Sequence, residues 1–291
     1  MTKIPQLIVM CGLPGAGKST YAKQYVEEHP QTKIMSSDGI RKELYGDESI
    51  QGNPAEVFAL MQKRTVEHLN QGIDVIYDAT GMARSNRGEI LSCTPKFVYK
   101  KCVIVWASIE ECIERDQRRS RHVGPEIIDM MVRRFEAPFY DEGFDEIQII
   151  MPEGFDRDAY EAKCLQSMDV SQDNPYHRLK VQQHCQSTYD YIKERSEDAE
   201  LLCAAAFHDV GKPYTKAFID SKGNPCETAH FYNHENVGGW MSYGLKESTV
   251  YTAWLISNHM EIMQNTKYSG KLPEFLKKDL QLLYEGDRQA H

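Results

Sequence analysis

The sequence predicts an α/β protein: a parallel-sheet domain over residues 1–155, linker material at 156–174, and an all-α domain over 175–291. Three observations carry this. An apolar run, Leu7–Cys11, leads into a glycine-rich turn and then a helical pattern, Ser19–Glu28. As far as Ile150, short apolar runs alternate with helical segments, the pattern of βαβ units. After Pro175 nearly every periodic segment has the helical repeat.

Taken in order, the strands are Leu7–Cys11, Lys33–Ser36, Asp74–Asp78, Val98–Trp106 and Glu146–Ile150. Helical patterns fall between them at Ser19–Glu28, Asp38–Leu44, Ala55–Asn70, Ser85–Leu91, Ile109–Arg121 and Pro125–Phe135. In such a sheet, ligand-binding residues collect beyond the carboxyl ends of the strands. From Met151 to Pro175 turn-forming residues dominate (Pro152, Gly154, Asp156, then Ser171–Pro175), with a short helix expected near Ala159–Gln166. The second part reads as helices at Arg178–Glu194, Glu197–Phe207, His234–Tyr243, Ser248–Glu261 and Pro273–Glu285.

The 291 residues suit two domains that each bury a core. No apolar run approaches a membrane span, and the first residues lack a signal-peptide pattern. Eight scattered cysteines, with no C-x-x-C spacing, read as reduced thiols of a cytoplasmic protein. The net charge of −9 is shared almost evenly by the two halves, so neither is a bulk polyanion binder. A nucleic-acid substrate would need local basic clusters instead.

The glycine-rich turn is Gly12-Leu13-Pro14-Gly15-Ala16-Gly17-Lys18-Ser19-Thr20, a full G-x-x-x-x-G-K-[ST] match between a strand and a helix. Gly12, Gly15 and Gly17 let backbone N–H groups turn inward, and the helix N-terminus adds positive potential. Lys18 is placed to reach the β- and γ-phosphates of ATP or another NTP, and Ser19 to ligate Mg²⁺. Asp38 and Arg41, at i and i+3 of the helix after the second strand, share a face. An aspartate there suits accepting the proton of an attacking hydroxyl; the bland alternative is a helix cap. Asp78, closing the third strand, suits a position near Mg²⁺ or the acceptor hydroxyl. Arg84 and Arg87 follow, as acceptor-phosphate contacts or as surface arginines. Arg115, Arg118 and Arg119 share a helix face ahead of Gly124-Pro125, a pattern for a hinged lid that neutralises charge.

On Gly12–Thr20, Asp38-x-x-Arg41, Asp78-x-Thr80 and Arg115-x-x-x-Arg119, residues 1–150 resemble the polynucleotide-kinase branch of P-loop phosphotransferases. The resemblance implies that Asp38 is the general base toward a 5′-hydroxyl, that Arg41 positions the acceptor side, and that Arg115 and Arg119 hold the NTP phosphates. The shorter pieces also fit sugar, nucleoside or antibiotic kinases.

In the second half, His208-Asp209-Val210-Gly211-Lys212-Pro213 ends an apolar run, where a His-Asp pair packs poorly but combines imidazole and carboxylate donors for a divalent metal. His177, His184, His230, His234 and His259 crowd the same stretch. Together with Phe231–Glu235, Asn258-His259-Met260 and Leu282–Asp287, these segments resemble the HD superfamily of metal-dependent phosphohydrolases. The resemblance implies His184, His208 and Asp209 as ligands, with Asp287 as the closing aspartate. His234 and His259 complete a second metal or hold the scissile phosphate, and Lys212 binds a substrate phosphate. The ion is Mg²⁺ or a divalent transition metal.

Phosphate addition and removal in one chain point to the two ends of a broken strand. The two resemblances together imply a bifunctional end-healing enzyme, a 5′-hydroxyl polynucleotide kinase joined to a 3′-phosphatase or 2′,3′-cyclic phosphodiesterase, with a ligase acting downstream. RNA is favoured because the HD part is similar to that of tRNA nucleotidyltransferases. The alternatives are a small-molecule or nucleoside kinase fused to a nucleotidase, and a nucleotide-sensing regulator with a degenerate HD part.

Overall fold

The computed structural model describes residues 3–119, 121–175, 178–264 and 273–290. The candidate His177 lies outside the described residues. The chain forms two compact units, Met1–Met131 with Pro138–Glu153, and Val132–Ala137 with Gly154–His291.

The first unit is built from β1 (Gln6–Cys11), α1 (Lys18–Glu28), β2 (Lys33–Ser36), α2 (Ser37–Tyr45), α3 (Pro54–Asn70), β3 (Val75–Asp78), α4 (Arg84–Cys93), β4 (Tyr99–Val105), α5 (Ile109–Gln117), α6 (Pro125–Val132) and β5 (Glu146–Ile150). Its sheet runs β2-β3-β1-β4-β5, parallel throughout, with Val9 opposite Tyr77 on one side and Cys102 on the other. Leu7–Cys11 are all buried, which is why a central parallel strand reads as an unbroken apolar run. From β1 the chain crosses to the edge strand β2 and returns to β3 between them, then crosses to the other side for β4 and β5. The carboxyl end of β1 is therefore a topological switch point, where ligand crevices open.

Local chemistry starts and stops the helices. Ser36 Oγ accepts from Gly39 N–H at 3.0 Å and sets Asp38 in the first turn of α2. Ser108 and Glu111 form a capping box on α5. That helix stops at Gln117, short of the expected Arg121, because the buried Asp116 carboxylate accepts from Val123 and Gly124 N–H, each at 2.9 Å.

The second unit contains α7 (Arg157–Met168), α8 (Val181–Lys193), α9 (Ala199–Phe207), α10 (Lys212–Thr215), β6 (Ala217–Ile219), β7 (Pro225–His230), α11 (His234–Ser242), α12 (Val250–Asn258), α13 (Glu261–Gln264) and α14 (Glu274–Gln289). It is helical apart from the antiparallel β6–β7 hairpin, an element absent from the sequence-based expectation. Residues 156–174, expected as linker with a short helix near Ala159–Gln166, hold that helix as α7, and its Cys164 and Met168 are buried. The core packs α8 on α9 and α14, and α11 on α12. Residues 132–137 belong here too: Arg133 NH1 donates to Tyr232 O at 3.0 Å, and Phe135 meets Trp240 edge-on at 5.4 Å. Among the described residues no helix is long and apolar enough to cross a membrane.

Candidate functional site

In the first unit the loop after β1 makes the phosphate cradle. Gly15 has φ 82° and Gly17 φ 108°, the left-handed region that suits glycine. A Cβ on Gly15 would lie 2.3 Å from Cys112 O, so the loop can close only without one. No side chain caps the N-terminus of α1. A cleft of about 740 Å³ is lined by Gly17, Lys18, Ser19, Trp106, Arg115 and Arg119, among others. Lys18 Nζ donates to Gly12 O at 2.8 Å and Leu13 O at 3.0 Å, and Ser19 Oγ donates to Asp78 Oδ2 at 3.0 Å. Burial pushes Lys18 down and Asp78 up, while each group's charge resists the other's shift. A cradle closed to side chains, an uncapped helix start, a lysine and a hydroxyl–carboxylate pair fit an NTP with Mg²⁺.

Asp38 stands beside this loop, near enough to push Asp78 up further after burial has done so. Its Oδ1 pairs with Arg41 NH1 at 2.9 Å and with Arg121 NH1 at 2.7 Å. Arg41 is 9% exposed, and its Nε has no hydrogen-bond partner among the described residues. Such a buried donor is costly unless a ligand completes it. Arg121 belongs to the basic run, but sequence spacing did not tie it to Asp38.

Three sequence expectations change here. Arg118 does not share the cleft with Arg115 and Arg119. It caps α5, is 78% exposed and pairs with Glu114 at 3.5 Å. Arg87 is not an acceptor contact: it is fully buried, with Nε and NH2 on Glu142 at 2.8 and 2.6 Å and NH1 on Gly81 O at 2.8 Å. Arg84 NH1 is held by both oxygens of Asp141 at 3.0 Å.

In the second unit four imidazoles are set in the same way. Nδ1 of His208, His234 and His259 bonds the carbonyl three residues before it, at 2.9, 2.8 and 2.7 Å. His184 Nδ1 bonds Ala290 O at 2.9 Å. Fixing Nδ1 leaves Nε2 to point into the centre, the arrangement of metal-ligating histidines. The Nε2 atoms gather round two carboxylates. His184 lies 2.8 Å from Asp287 and 3.5 Å from Asp209 Oδ2, His208 lies 3.5 Å from the same Asp209 oxygen, and His234 lies 3.2 Å from Asp209 Oδ1. Nε2 of His234 and of His259 are 3.3 Å apart. Asp209 thus joins a His184–His208–Asp287 group to a His234–His259 group.

The turn that places Asp209 needs Gly211, where a Cβ would lie 2.1 Å from His234 O. Although burial opposes it, Lys212 and His208 hold the Asp209 carboxyl well below its usual range. Burial, helped by His234 and His208, pushes His259 down to about 3. A neutral imidazole and an ionised carboxylate are the forms that bind metal. His208 Nε2, fully buried, has no hydrogen-bond partner among the described residues. Converging donors and an orphaned nitrogen fit a divalent cation.

Lys212 departs from its expected place at a substrate phosphate. It is 5% exposed, and its Nζ lies 2.7 Å from Asp209 Oδ2 and 2.9 Å from Gln172 Oε1. His230 is outside the cluster, stacked on Tyr232 at 5.3 Å.

Residues 7–138 match the family described as AAA domain, and residues 176–288 match the HD domain family. An AAA domain and an HD domain share this chain. Among solved structures, the AAA–HD chain is similar to a chain of the Pnkp1/Rnl/Hen1 RNA repair complex, with 18% identity over 46% of this chain and 45% of that one and a TM-score of 0.42. It is also similar to a fungal RNA kinase, with 15% identity over 74% and 98% of the two chains and a TM-score of 0.38. A third similarity is to shikimate kinase from Acinetobacter baumannii, with 20% identity over 57% and 93% and a TM-score of 0.37. The AAA–HD chain spans 45% and 40% of the two RNA-repair-complex chains it matches.

Proposed function

We propose that the chain is a cytoplasmic bifunctional nucleic-acid end-healing enzyme. Its AAA domain transfers a phosphoryl group from ATP to a 5′-hydroxyl, and its HD domain removes a 3′-phosphate or opens a 2′,3′-cyclic phosphate. The observation that carries this reading is a phosphate-cradling loop and a His/Asp cage in one chain. On one small molecule the two reactions would cancel. On the two ends of a broken strand both are needed before a ligase can act.

In the AAA domain the backbone of Gly15 and Gly17 and the uncapped start of α1 would face the NTP phosphates, and Lys18, now on Gly12 O, would turn to meet them. Ser19 and Asp78 would hold Mg²⁺, which neutralises phosphate charge when bound. Asp38, oriented by Arg41 and Arg121, accepts the proton of the attacking hydroxyl. Arg115 and Arg119 face the cleft and offset charge on the transferred group.

In the HD domain His184, His208, Asp209 and Asp287 would hold one ion, with His234 and His259 adding donors on the far side of Asp209. A bound divalent ion lowers the pKa of water and polarises a P–O bond. Lys212 is a positioning residue: it fixes and charge-balances Asp209.

The commitment of Arg84 and Arg87 to Asp141 and Glu142 favours a second reading, a nucleoside or other small-molecule kinase fused to a nucleotidase, because it strips the acceptor side of two cations. One assay separates the readings. The protein is incubated with labelled ATP, Mg²⁺ and a 5′-hydroxyl oligoribonucleotide, alongside a nucleoside panel. Label on the oligonucleotide supports end healing; label on nucleosides with untouched oligonucleotide overturns it.

A further inference from the structure

The residue after His184 is a cysteine, and the pattern that picks out the metal ligands makes no use of it. Cys185 is 1% exposed and its thiol is free. Its Sγ, a ring nitrogen of His208 and a carboxylate oxygen of Asp209 all lie within 4.8 Å of one another. α8 packs against both α9 and α14, so His184 and Cys185, on successive positions, both face the interior.

A buried thiol that only fills space sits among apolar side chains. This one has an imidazole nitrogen and a carboxylate oxygen within 4.8 Å of its sulfur. The independent sign of a ligand is His208. Its Nδ1 is taken by Ala205 O at 2.9 Å, and its Nε2 is fully buried with no hydrogen-bond partner among the described residues. The space beside the thiol therefore holds an unsatisfied donor set, not a finished hydrogen-bond network.

We propose that Cys185 is a metal ligand of the HD domain, its thiolate joining His208 and Asp209 on one ion. This rests on the metal-centre reading and goes beyond it by naming a soft donor and the class of ion that donor selects. Oxygen-only sites suit Mg²⁺, whereas sulfur with imidazole suits zinc, cobalt or ferrous iron. On binding, the S–H bond breaks, sulfur donates its pair to the cation, and the proton passes to solvent.

The test is cobalt substitution in the full-length chain, stripped of metal and titrated with Co²⁺ alone. The wild type is expected to show visible d–d bands together with a near-ultraviolet thiolate-to-cobalt charge-transfer band, and to release one proton more than Cys185→Ser. Cys185→Ser and Cys185→Ala, checked by circular dichroism and thermal melting, are expected to keep the d–d bands and lose the charge-transfer band. Cobalt uptake by the wild type without that band, or a band that survives in either variant, overturns the role of Cys185. No cobalt uptake by the folded wild type overturns the metal-centre reading itself, and this proposal with it. The wild-type spectrum is decisive even if neither variant folds.

Discussion

Replacing Arg87 with Met tests whether the AAA domain depends on a buried ion pair that also braces its loops. The guanidinium and the Glu142 carboxylate are 0% and 2% exposed. Two of the guanidinium's donors go to Glu142 at 2.8 and 2.6 Å, and NH1 reaches Gly81 O and Met82 O at 2.8 and 3.2 Å. Methionine fills similar space but leaves Glu142 buried without its cation. Breaking a buried pair from one side costs about 3–5 kcal/mol, a large share of the roughly 5–15 kcal/mol that holds a domain folded. The braced carbonyls directly follow Asp78-Ala79-Thr80, and Gly12 N–H donates to Thr80 O at 2.9 Å. The variant is therefore also expected to weaken nucleotide binding. The assay is hydrogen exchange by mass spectrometry, read at peptides covering β1 and β4, with the HD peptides as an internal reference. Adding Glu142→Leu removes the stranded charge and is expected to restore most of the lost protection. A loss below about 1 kcal/mol in the single variant, the size of an exposed pair, or a double variant no better than the single, refutes the reasoning.

Lys18→Ala and Asp38→Asn are expected to lower phosphoryl transfer to a 5′-hydroxyl end, by about 10²–10⁴-fold for loss of the base, while phosphate removal continues. Asp209→Ala is expected to do the reverse, and loss of both activities in folded protein from any one change contradicts two independent sites. In metal-free protein, His259 gives the HD domain an acid-labile stability. Its folded value of about 3 lies below the unfolded value of roughly 6.5, so the unfolded chain takes up a proton that the fold refuses. Stability is then intact above about pH 6.5 and falls on acidification below it, by at most about 1.4 kcal/mol per pH unit. Although burial opposes it, charged neighbours, Asp209 among them, hold His208 above its ordinary value, so its contribution has the opposite sign: it is full below about pH 6.5 and lost as the pH rises. Urea titrations between about pH 6.5 and 5, above the range where the lowered Asp209 and Asp287 carboxyls add their own loss, are expected to show the slope in wild type and its loss in His259→Asn. Chelation of metal-loaded protein is expected to lower the HD unfolding transition, by about 2.7 kcal/mol where free metal had stood at 100 times its Kd, with little change in the AAA domain.

Much of this was legible in the residues because the signals are local. Buried parallel strands announce themselves as apolar runs, so β2 and β5 fall at the bounds expected from sequence and the other three shift by a residue or so. The glycine-rich loop and the His208-Asp209 pair carry their chemistry in adjacent positions. What stayed hidden depends on contacts distant in sequence. Arg87 looks like any surface arginine until Glu142 is folded against it. Arg121 belongs to a basic run, and only the fold brings it to Asp38. α5 ends early because Asp116 turns to two N–H groups beyond it, a choice that helical periodicity does not record. The β6–β7 hairpin was missed because β6 has only three residues. Its turn was visible in Asp220-Ser221-Lys222-Gly223-Asn224, where Asp220 Oδ1 accepts from Lys222 and Asn224 N–H at 2.8 Å.

The bond between His184 and Asp287 spans 103 residues of sequence. The cage therefore sits at the closure of one long loop that takes in α9 through α13. Closing such a loop costs a free chain entropy. An ion gripping both ends would act as a removable staple: it would favour the folded chain by binding the closed loop and not the open one, so its effect would vanish on chelation. On that reading the free concentration of the ion would bear on how long the HD domain stays folded as well as on its chemistry.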